Sequence, residues 1–233
     1  MTPVGEGSAF DGYAADYEAA LACGLRLTGE RRQYFAEQRV AWLKRKLATL
    51  GAAPGFVVDF GCGDGATLPI LAKMLNPRKL VGLEPSIACL ERAQAVAERK
   101  WAVLGPDKFE QRGKVDLIYC NGVMHHVAPA DRPGMLGLLR EMLRPGGLLA
   151  LWDNNPWNPG TRWVMRRIPF DRDAMPIPAS AARSLLERCG FSVLGVDHLF
   201  LFPRTLRWFR GLEIPLSGLP LGGQYLVLAR RGD

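Results

Sequence analysis

The chain has 233 residues and a formal net charge of +7, a length that suits a single α/β domain with a complete hydrophobic core. Hydrophobic residues make up 48% of the sequence and charged residues 23%, proportions that exclude a disordered or fibrous protein. The sequence has no apolar run as long as a membrane span, and its start, MTPVGEGS, carries no secretory pattern. We therefore expect one soluble, cytoplasmic domain covering residues 1–233.

The pattern of apolar residues predicts alternating helices and strands. An amphipathic helix covers 36–50, and a second helix at 86–99 begins at Ser86, a favourable cap. Asp131 and Pro133 open a later helix. Strands are predicted at 57–60, 80–84, 101–104, 115–120, 148–153, 191–202 and 224–229. This alternation predicts a mostly parallel sheet that binds its ligand at the carboxyl ends of the strands.

A glycine-rich loop follows the first strand, where residues 57–67 read VVDFGCGDGAT. Gly61, Gly63 and Gly65 allow a sharp turn and a close approach of the backbone to a ligand, because glycine has no Cβ. Leucines at helical spacing follow the loop. A strand, a glycine loop and a helix in this order are typical of a nucleotide-binding turn.

Two classes of ligand fit this loop. GCGDGA satisfies the dinucleotide fingerprint, and Glu84 ends the next strand where an acid would bind ribose hydroxyls. A pyrophosphate, however, requires backbone amides and a helix N-terminus that face an anion. Asp59 and Asp64 place negative charge on both sides of the turn, which favours a cationic ligand.

Two further segments extend the pattern: VDLIYCNGVMHHV at 115–127 and RPGGLLALWD at 144–153. With the glycine loop, they resemble the Rossmann-like (class I) S-adenosylmethionine-dependent methyltransferases over roughly residues 55–153. The resemblance implies an α/β, doubly wound domain with a seven-stranded, mostly parallel sheet whose last strand is antiparallel. It divides the chain into an N-terminal helical lid (1–50), the cofactor-binding core (55–153) and acceptor-shaping insertions with the last two strands (154–233).

The resemblance also implies a cofactor site for S-adenosylmethionine. The glycine loop would contact the amino-acid end of the cofactor, and Glu84 would bind its ribose. Asp107 would hold the adenine amine or, alternatively, cap a turn; the Tyr13 and Tyr17 side chains would close over the cofactor or simply pack. The predicted cofactor-binding residues are Asp59, Gly61, Cys62, Gly63, Asp64, Glu84, Pro85, Asp107, Asn121, Gly122, Tyr13 and Tyr17.

Catalysis is predicted at the ends of the fourth and fifth strands. A hydroxyl acceptor must lose a proton, and imidazole titrates near neutral pH. His125 and His126 follow the fourth strand, and Asp153 ends the fifth, where it would orient one of them. We expect His125 to be the base and the other histidine to be structural. The five dispersed cysteines form no metal-spaced pair, which predicts free thiols and a metal-independent enzyme.

The acceptor is less well defined by the sequence. Segment 154–178 is rich in proline, arginine and tryptophan, and the candidate substrate residues there are Asn154, Asn155, Trp157, Arg162 and Arg166. DNNPW at 153–157 resembles a signature of amino-methylating enzymes, although it follows the fifth strand rather than the fourth. The arginines could hold a phosphate, and Trp208 and Leu212 could rest on a membrane surface.

These observations predict methyl transfer to a hydroxyl of a small or carrier-linked metabolite, such as a glycan precursor or secondary metabolite, within a biosynthetic pathway. The alternatives are an N-methyltransferase, an RNA methyltransferase and a non-catalytic regulatory protein that binds the cofactor. Nucleic acid is the less favoured partner, because the positive charge is modest and spread through the helices. The sequence does not define the oligomeric state.

Overall fold

A computed structural model describes residues 28–97, 100–171 and 174–232. Tyr13 and Tyr17, the predicted lid residues, lie outside these ranges. The helices are α1 (Arg32–Thr49), α2 (Leu68–Leu75), α3 (Ile87–Ala97), α4 (Arg132–Met142), α5 (Pro159–Met165), α6 (Ala179–Arg188) and α7 (Glu213–Leu216). The strands are β1 (Phe56–Phe60), β2 (Lys79–Leu83), β3 (Ala102–Leu104), β4 (Val115–Asn121), β5 (Leu143–Asn154), β6 (Phe191–Leu199) and β7 (Gln224–Arg231).

The seven strands form one sheet in the order β3-β2-β1-β4-β5-β7-β6. The pairs from β3 to β5 are parallel, and β7 is antiparallel to both of its neighbours. The strand order reverses direction between β1 and β4. The connections that leave the carboxyl ends of these two strands turn to opposite faces of the sheet, and a crevice for a ligand lies between them. The predicted fold, a doubly wound sheet with an antiparallel last strand, is confirmed.

The sheet is buried on both faces, as a mostly parallel sheet requires. Every residue of β1 is buried. Side chains on one face of the sheet pack with α4 and α6, and those on the other face pack with α1, α2 and α3. Four cysteines of the described residues, Cys62, Cys89, Cys120 and Cys189, are free thiols, as predicted.

The main difference from the predicted elements lies at the end of β6. The strand stops at Leu199, three residues before the predicted end, because Phe200 has a positive φ of 65°. The backbone amides of Phe200, Leu201 and Phe202 donate to the carboxylate of Glu213 instead of to a strand. The connection that follows contains a 3₁₀ helix, Arg204–Leu212, and then α7.

The other boundaries differ by a few residues. Helix α1 begins at Arg32, and Ser86 caps α3 by accepting a hydrogen bond from the Cys89 amide at 3.3 Å. Strand β7 continues two residues past the predicted Ala229. Among the residues described, no helix has the length and apolar character needed to cross a membrane.

Candidate functional site

A cavity of about 650 Å³ opens at the carboxyl ends of the parallel strands, the position predicted from the sheet. This volume is in the usual range for small-molecule sites. The strand ends contribute Gly61 and Gly63 after β1, Glu84 and Pro85 after β2, Asn121, Gly122 and His125 after β4, and Asp153 and Asn154 at the end of β5.

The glycine loop is held in a conformation that needs glycine at three positions. Gly61, Gly63 and Gly65 have φ angles of 74°, 58° and 80°. A Cβ on Gly61 would lie 2.3 Å from a methyl carbon of Val123, and one on Gly65 would lie 3.0 Å from the Ala93 backbone. A Cβ on Gly63 would meet nothing within 4 Å, so the loop presents its open side to the cavity at this residue.

Glu84 links the glycine loop to the next strand. Its carboxylate accepts hydrogen bonds from the backbone amides of Gly63 at 2.8 Å and Ser86 at 2.9 Å. The side chain is buried but lines the cavity, and a carboxylate can accept more than two hydrogen bonds. The structure therefore places Glu84 where it can accept further hydrogen bonds from a ligand.

The two aspartates of the loop have different environments. Both oxygens of Asp64 accept hydrogen bonds from the Arg32 guanidinium, at 2.5 and 2.6 Å. Burial raises the pKa of Asp64, but these hydrogen bonds outweigh it and hold the pKa below its ordinary value. Asp59 is buried, and one of its oxygens has no hydrogen-bond partner among the described residues. Neither aspartate is among the residues that line the cavity.

The two histidines form a compact cluster with two aspartates. The ring Nδ1 of His125 hydrogen-bonds to Asp153, and its Nε2 lies 3.5 Å from an oxygen of Asp171. The Nε2 of His126 lies 3.4 Å from the same Asp171 oxygen. Asp171 ends a 3₁₀ helix, Pro169–Asp171. All four side chains line the cavity. We call His125, His126, Asp153 and Asp171 the His–Asp cluster.

Within this cluster, His125 and Asp171 each stabilise the charged form of the other. Burial lowers the pKa of His125, but Asp153 and Asp171 outweigh it and raise the pKa to about 10. Burial likewise raises the pKa of Asp171, but hydrogen bonds from His125 and His126 hold the pKa below its ordinary value. Both ring nitrogens of His125 face a carboxylate, so at neutral pH this ring holds protons on both. His125 would have to lose one of these protons before it could act as the base, and its role as the base stays a prediction.

Segment 154–178 is anchored by its asparagines. The Asn155 amide donates to the backbone oxygens of Pro220 at 3.0 Å and Gly222 at 2.8 Å, and its oxygen accepts from the Trp157 amide at 3.1 Å. Asn155 is thus fully occupied in joining β5 to the connection before β7. Asn154 lines the cavity and accepts a hydrogen bond from Gln224 at 3.0 Å.

Several predicted site residues lie away from this cavity. Asp107 is exposed at the start of a short 3₁₀ helix, Pro106–Lys108, of which Pro106 lines the cavity. The side chain of Cys62 is buried against β2. Trp157, Arg162 and Arg166 are exposed, as are Trp208 and Leu212. Their binding roles stay predictions.

Other cavity residues were not predicted from the sequence. Asp171 lies 46 positions after His125 and is preceded by no motif. An aromatic wall is formed by Tyr34, Phe35 and Phe200, with the rings of the last two 5.0 Å apart. No local signal marks Asp171, because the surrounding residues read RRIPFDRD, with a second aspartate and three arginines beside it.

Comparison with known proteins identifies related sequences. A family model described as a methyltransferase domain matches residues 30–200. A trans-aconitate 2-methyltransferase from Azoarcus sp. (strain BH72) is 30% identical over 166 residues, which cover 66% of this chain and 65% of that protein. A malonyl-[acyl-carrier protein] O-methyltransferase from Legionella pneumophila is 30% identical over 122 residues, covering 50% of this chain and 39% of that protein. The chain spans only 36% and 38% of two further trans-aconitate 2-methyltransferases.

Solved structures share the fold at low sequence identity. A chain in the complex of the Haloferax volcanii Trm112 methyltransferase activator with a methyltransferase has a TM-score of 0.66 at 18% identity, covering 98% of this chain and all of that one. Magnesium protoporphyrin IX methyltransferase from Synechocystis PCC 6803, solved with bound S-adenosylmethionine, has a TM-score of 0.57 at 18% identity, covering 91% and 84%.

Proposed function

Because the chain belongs to the methyltransferase domain family, we propose that it transfers the methyl group of S-adenosylmethionine to an oxygen atom of a small or carrier-linked metabolite. The predicted family is confirmed by the family match and by the shared fold. The observation that carries the proposal is that the glycine loop, Glu84 and the His–Asp cluster line one cavity. The cofactor and the acceptor would therefore meet inside it.

The glycine loop and Glu84 form the proposed cofactor half of the cavity. The open side of Gly63 and the buried carboxylate of Glu84 fit the amino-acid and ribose parts of the cofactor.

The His–Asp cluster and segment 154–171 form the proposed acceptor half. Val164, Met165 and Ile168 line the cavity beside the cluster, so an acceptor would be bound by apolar contacts with polar groups at one end. In the transfer, a lone pair of the acceptor oxygen forms the bond to the methyl carbon. The carbon–sulfur bond breaks at the same time, and sulfur keeps its electron pair. A hydroxyl acceptor also releases a proton, whose removal the cluster would assist.

A carboxylate is the second candidate acceptor. The relatives named trans-aconitate 2-methyltransferase and malonyl-[acyl-carrier protein] O-methyltransferase favour it, because aconitate and malonyl groups carry carboxylates. A carboxylate oxygen is already deprotonated at neutral pH. In that case the cluster would position the acceptor, and it would have no proton to remove. Cytoplasmic location, a biosynthetic role, the lack of a nucleic-acid partner and metal independence stay predictions.

The test is methyl transfer from isotopically labelled S-adenosylmethionine to a panel of hydroxylated metabolites and carboxylic acids, read by mass spectrometry. With the accepted substrate, we expect His126→Ala to bind the cofactor normally and to lose roughly 10²–10⁴ in kcat if the acceptor is a hydroxyl. For a carboxylate acceptor the loss would fall mainly on KM. A His126→Ala enzyme with unchanged kcat and KM would rule out a role for the cluster in the reaction.

A further inference from the structure

Three potential metal ligands converge at the wall of the cavity. Of the described residues, His125, His126 and Asp171 are the one group of three whose ligand atoms all lie within 4.8 Å of one another. The two imidazole Nε2 atoms lie 3.5 and 3.4 Å from the same Asp171 oxygen. Two ligands bound tetrahedrally to one Zn²⁺ ion at 2.0–2.2 Å would be separated by about 3.4 Å.

The second ring nitrogen of His125 also has the kind of hydrogen-bond partner that a metal-binding histidine needs. Its Nδ1 hydrogen-bonds to the buried carboxylate of Asp153, and its Nε2 is directed to Asp171. Metal-binding histidines almost always donate the second ring N–H to a carboxylate or carbonyl oxygen, which fixes the tautomer and the ring orientation. Asp153 would hold the Nε2 lone pair of a neutral His125 toward the ion.

The backbone holds the ligands together before any ion binds. The Met175 amide donates to the His125 carbonyl at 2.7 Å. The Arg132 guanidinium bridges the two segments, donating to the carbonyl oxygens of Val127 at 3.0 Å and Met175 at 2.5 Å. The chain is therefore fixed at Met175, four positions after Asp171, against the turn that carries the histidines, which lowers the entropic cost of assembling the site.

We propose that His125, His126 and Asp171 bind one divalent transition-metal ion, with Zn²⁺ the ion that the ligand set fits best. Two imidazole nitrogens and one carboxylate oxygen match the three-ligand composition of catalytic zinc sites, which keep a further position open for water or substrate. The open position would face the cavity, because all three side chains line it. Metal independence is the competing prediction, and the experiment below distinguishes the two.

The role of the ion on the acceptor rests on the proposed function, whereas its binding does not. An acceptor oxygen at the open position would lose its proton to solvent more readily, because the cation stabilises the oxyanion. That oxygen would then form the bond to the methyl carbon, and sulfur would keep the electron pair of the broken carbon–sulfur bond.

The test is Zn²⁺ binding to the untagged full chain after chelator treatment, measured by elemental analysis and by calorimetry. We expect one equivalent to bind, and Co²⁺ to give the visible absorption of a coordinated ion. His126→Ala and Asp171→Asn should lose this binding, and Asp153→Asn should weaken it about 10–100-fold. His198→Gln is the matched control, since His198 is a buried histidine on β6 outside the cluster, and it should bind as the parent does.

Binding of S-adenosylhomocysteine serves as the folding check for each variant, and the two cluster variants supply independent tests if one of them does not fold. Absence of a bound equivalent in the parent, or undiminished binding in both cluster variants, would overturn the metal site. Full methyl transfer by the metal-free protein would overturn the ion's role on the acceptor and would leave the proposed function intact. A bound ion without transfer to any acceptor would instead count against the proposed function alone.

Discussion

Asp59 is a carboxyl group that the fold holds almost entirely away from water. It is 2% exposed, and one of its oxygens has no partner among the described residues. Burial and the nearby charge of Glu84 raise the pKa of Asp59 to about 8, against the smaller opposing effect of Arg39. The free protein therefore holds a proton on this carboxyl that the unfolded chain releases above about pH 4.

This difference predicts a loss of stability as pH rises. Because the folded-state pKa of Asp59 lies above the unfolded one, the group destabilises the cofactor-free fold progressively between about pH 4 and 8, by at most about 1.4 kcal/mol per pH unit. Asp59→Asn removes the titration. We expect the free energy of unfolding of the parent, relative to that of the variant, to fall between pH 5 and 8 in urea titrations.

Asp116→Asn is the control for this measurement. Burial raises the pKa of Asp116, but hydrogen bonds from Arg144 and from the Phe56 and Gly55 amides hold the pKa below its ordinary value. Its titration therefore lies below pH 5, and the parent–variant difference should stay constant from pH 5 to 8. An equally constant difference for Asp59→Asn would contradict the raised pKa.

Glu84 and Gly63 test the cofactor half of the cavity. Glu84→Ala should weaken binding of S-adenosylhomocysteine by roughly 10–100-fold, since hydrogen bonds to a charged group contribute about 1.5–3 kcal/mol. Gly63→Val should weaken it further, because the side chain would enter the cavity and the φ of 58° is unfavourable for valine. Calorimetry gives both affinities, and normal binding by both variants would place the cofactor elsewhere.

Motifs revealed some of these residues and not others, for a physical reason. Glu84, His125 and Asp153 each lie at or shortly after the carboxyl end of a buried strand, and a parallel sheet brings such positions together. Arg32 and Asp171 reach the site from a helix and an insertion. Their contacts, with Asp64 and with the histidines, depend on how distant segments pack, which local patterns of residues do not encode.

At the scale of elements, the connection between β5 and α5 is fixed to the connection before β7. Asn155 is 1% exposed and makes three hydrogen bonds to backbone groups. Asn158 adds a bond to the Leu221 carbonyl at 2.7 Å and caps α5 by accepting from the Thr161 amide at 3.0 Å. These contacts support the apolar side of the acceptor half.

Replacing Asn155 should therefore destabilise the acceptor half of the cavity. Asn155→Ala leaves the Pro220 and Gly222 carbonyls without their amide donor, so we expect a loss of about 1–3 kcal/mol in the free energy of unfolding. Ser192→Ala, an exposed change on β6, should stay within about 0.5 kcal/mol of the parent. Chemical denaturation measures both, and equal stabilities would show that the Asn155 contacts contribute little.

The order of elements was predictable, whereas the shape of the connections was not. Alternating apolar runs predict the sheet, because each strand and helix must bury one face or both. No helix was predicted in the segment between β6 and β7. It folds into helical turns, which the Glu213 carboxylate holds against the end of β6 by accepting from three backbone amides. The pattern of residues did not reveal this interaction.

At the scale of the molecule, one cavity joins the glycine loop, Glu84 and the His–Asp cluster. The sheet order places the strand ends from β2 to β5 side by side, so the cofactor and acceptor halves adjoin each other. The central claim is that this cavity binds S-adenosylmethionine, and the dinucleotide fingerprint in the loop makes NAD the direct competitor.

The most direct measurement is the melting temperature of the full chain with each of three ligands. S-adenosylmethionine or S-adenosylhomocysteine at a hundred times its dissociation constant should stabilise the fold by about 2.7 kcal/mol, which is a rise of roughly 5–10 °C for a chain of this size. NAD should leave the melting temperature unchanged. A rise with NAD and none with the two sulfur compounds would contradict the account.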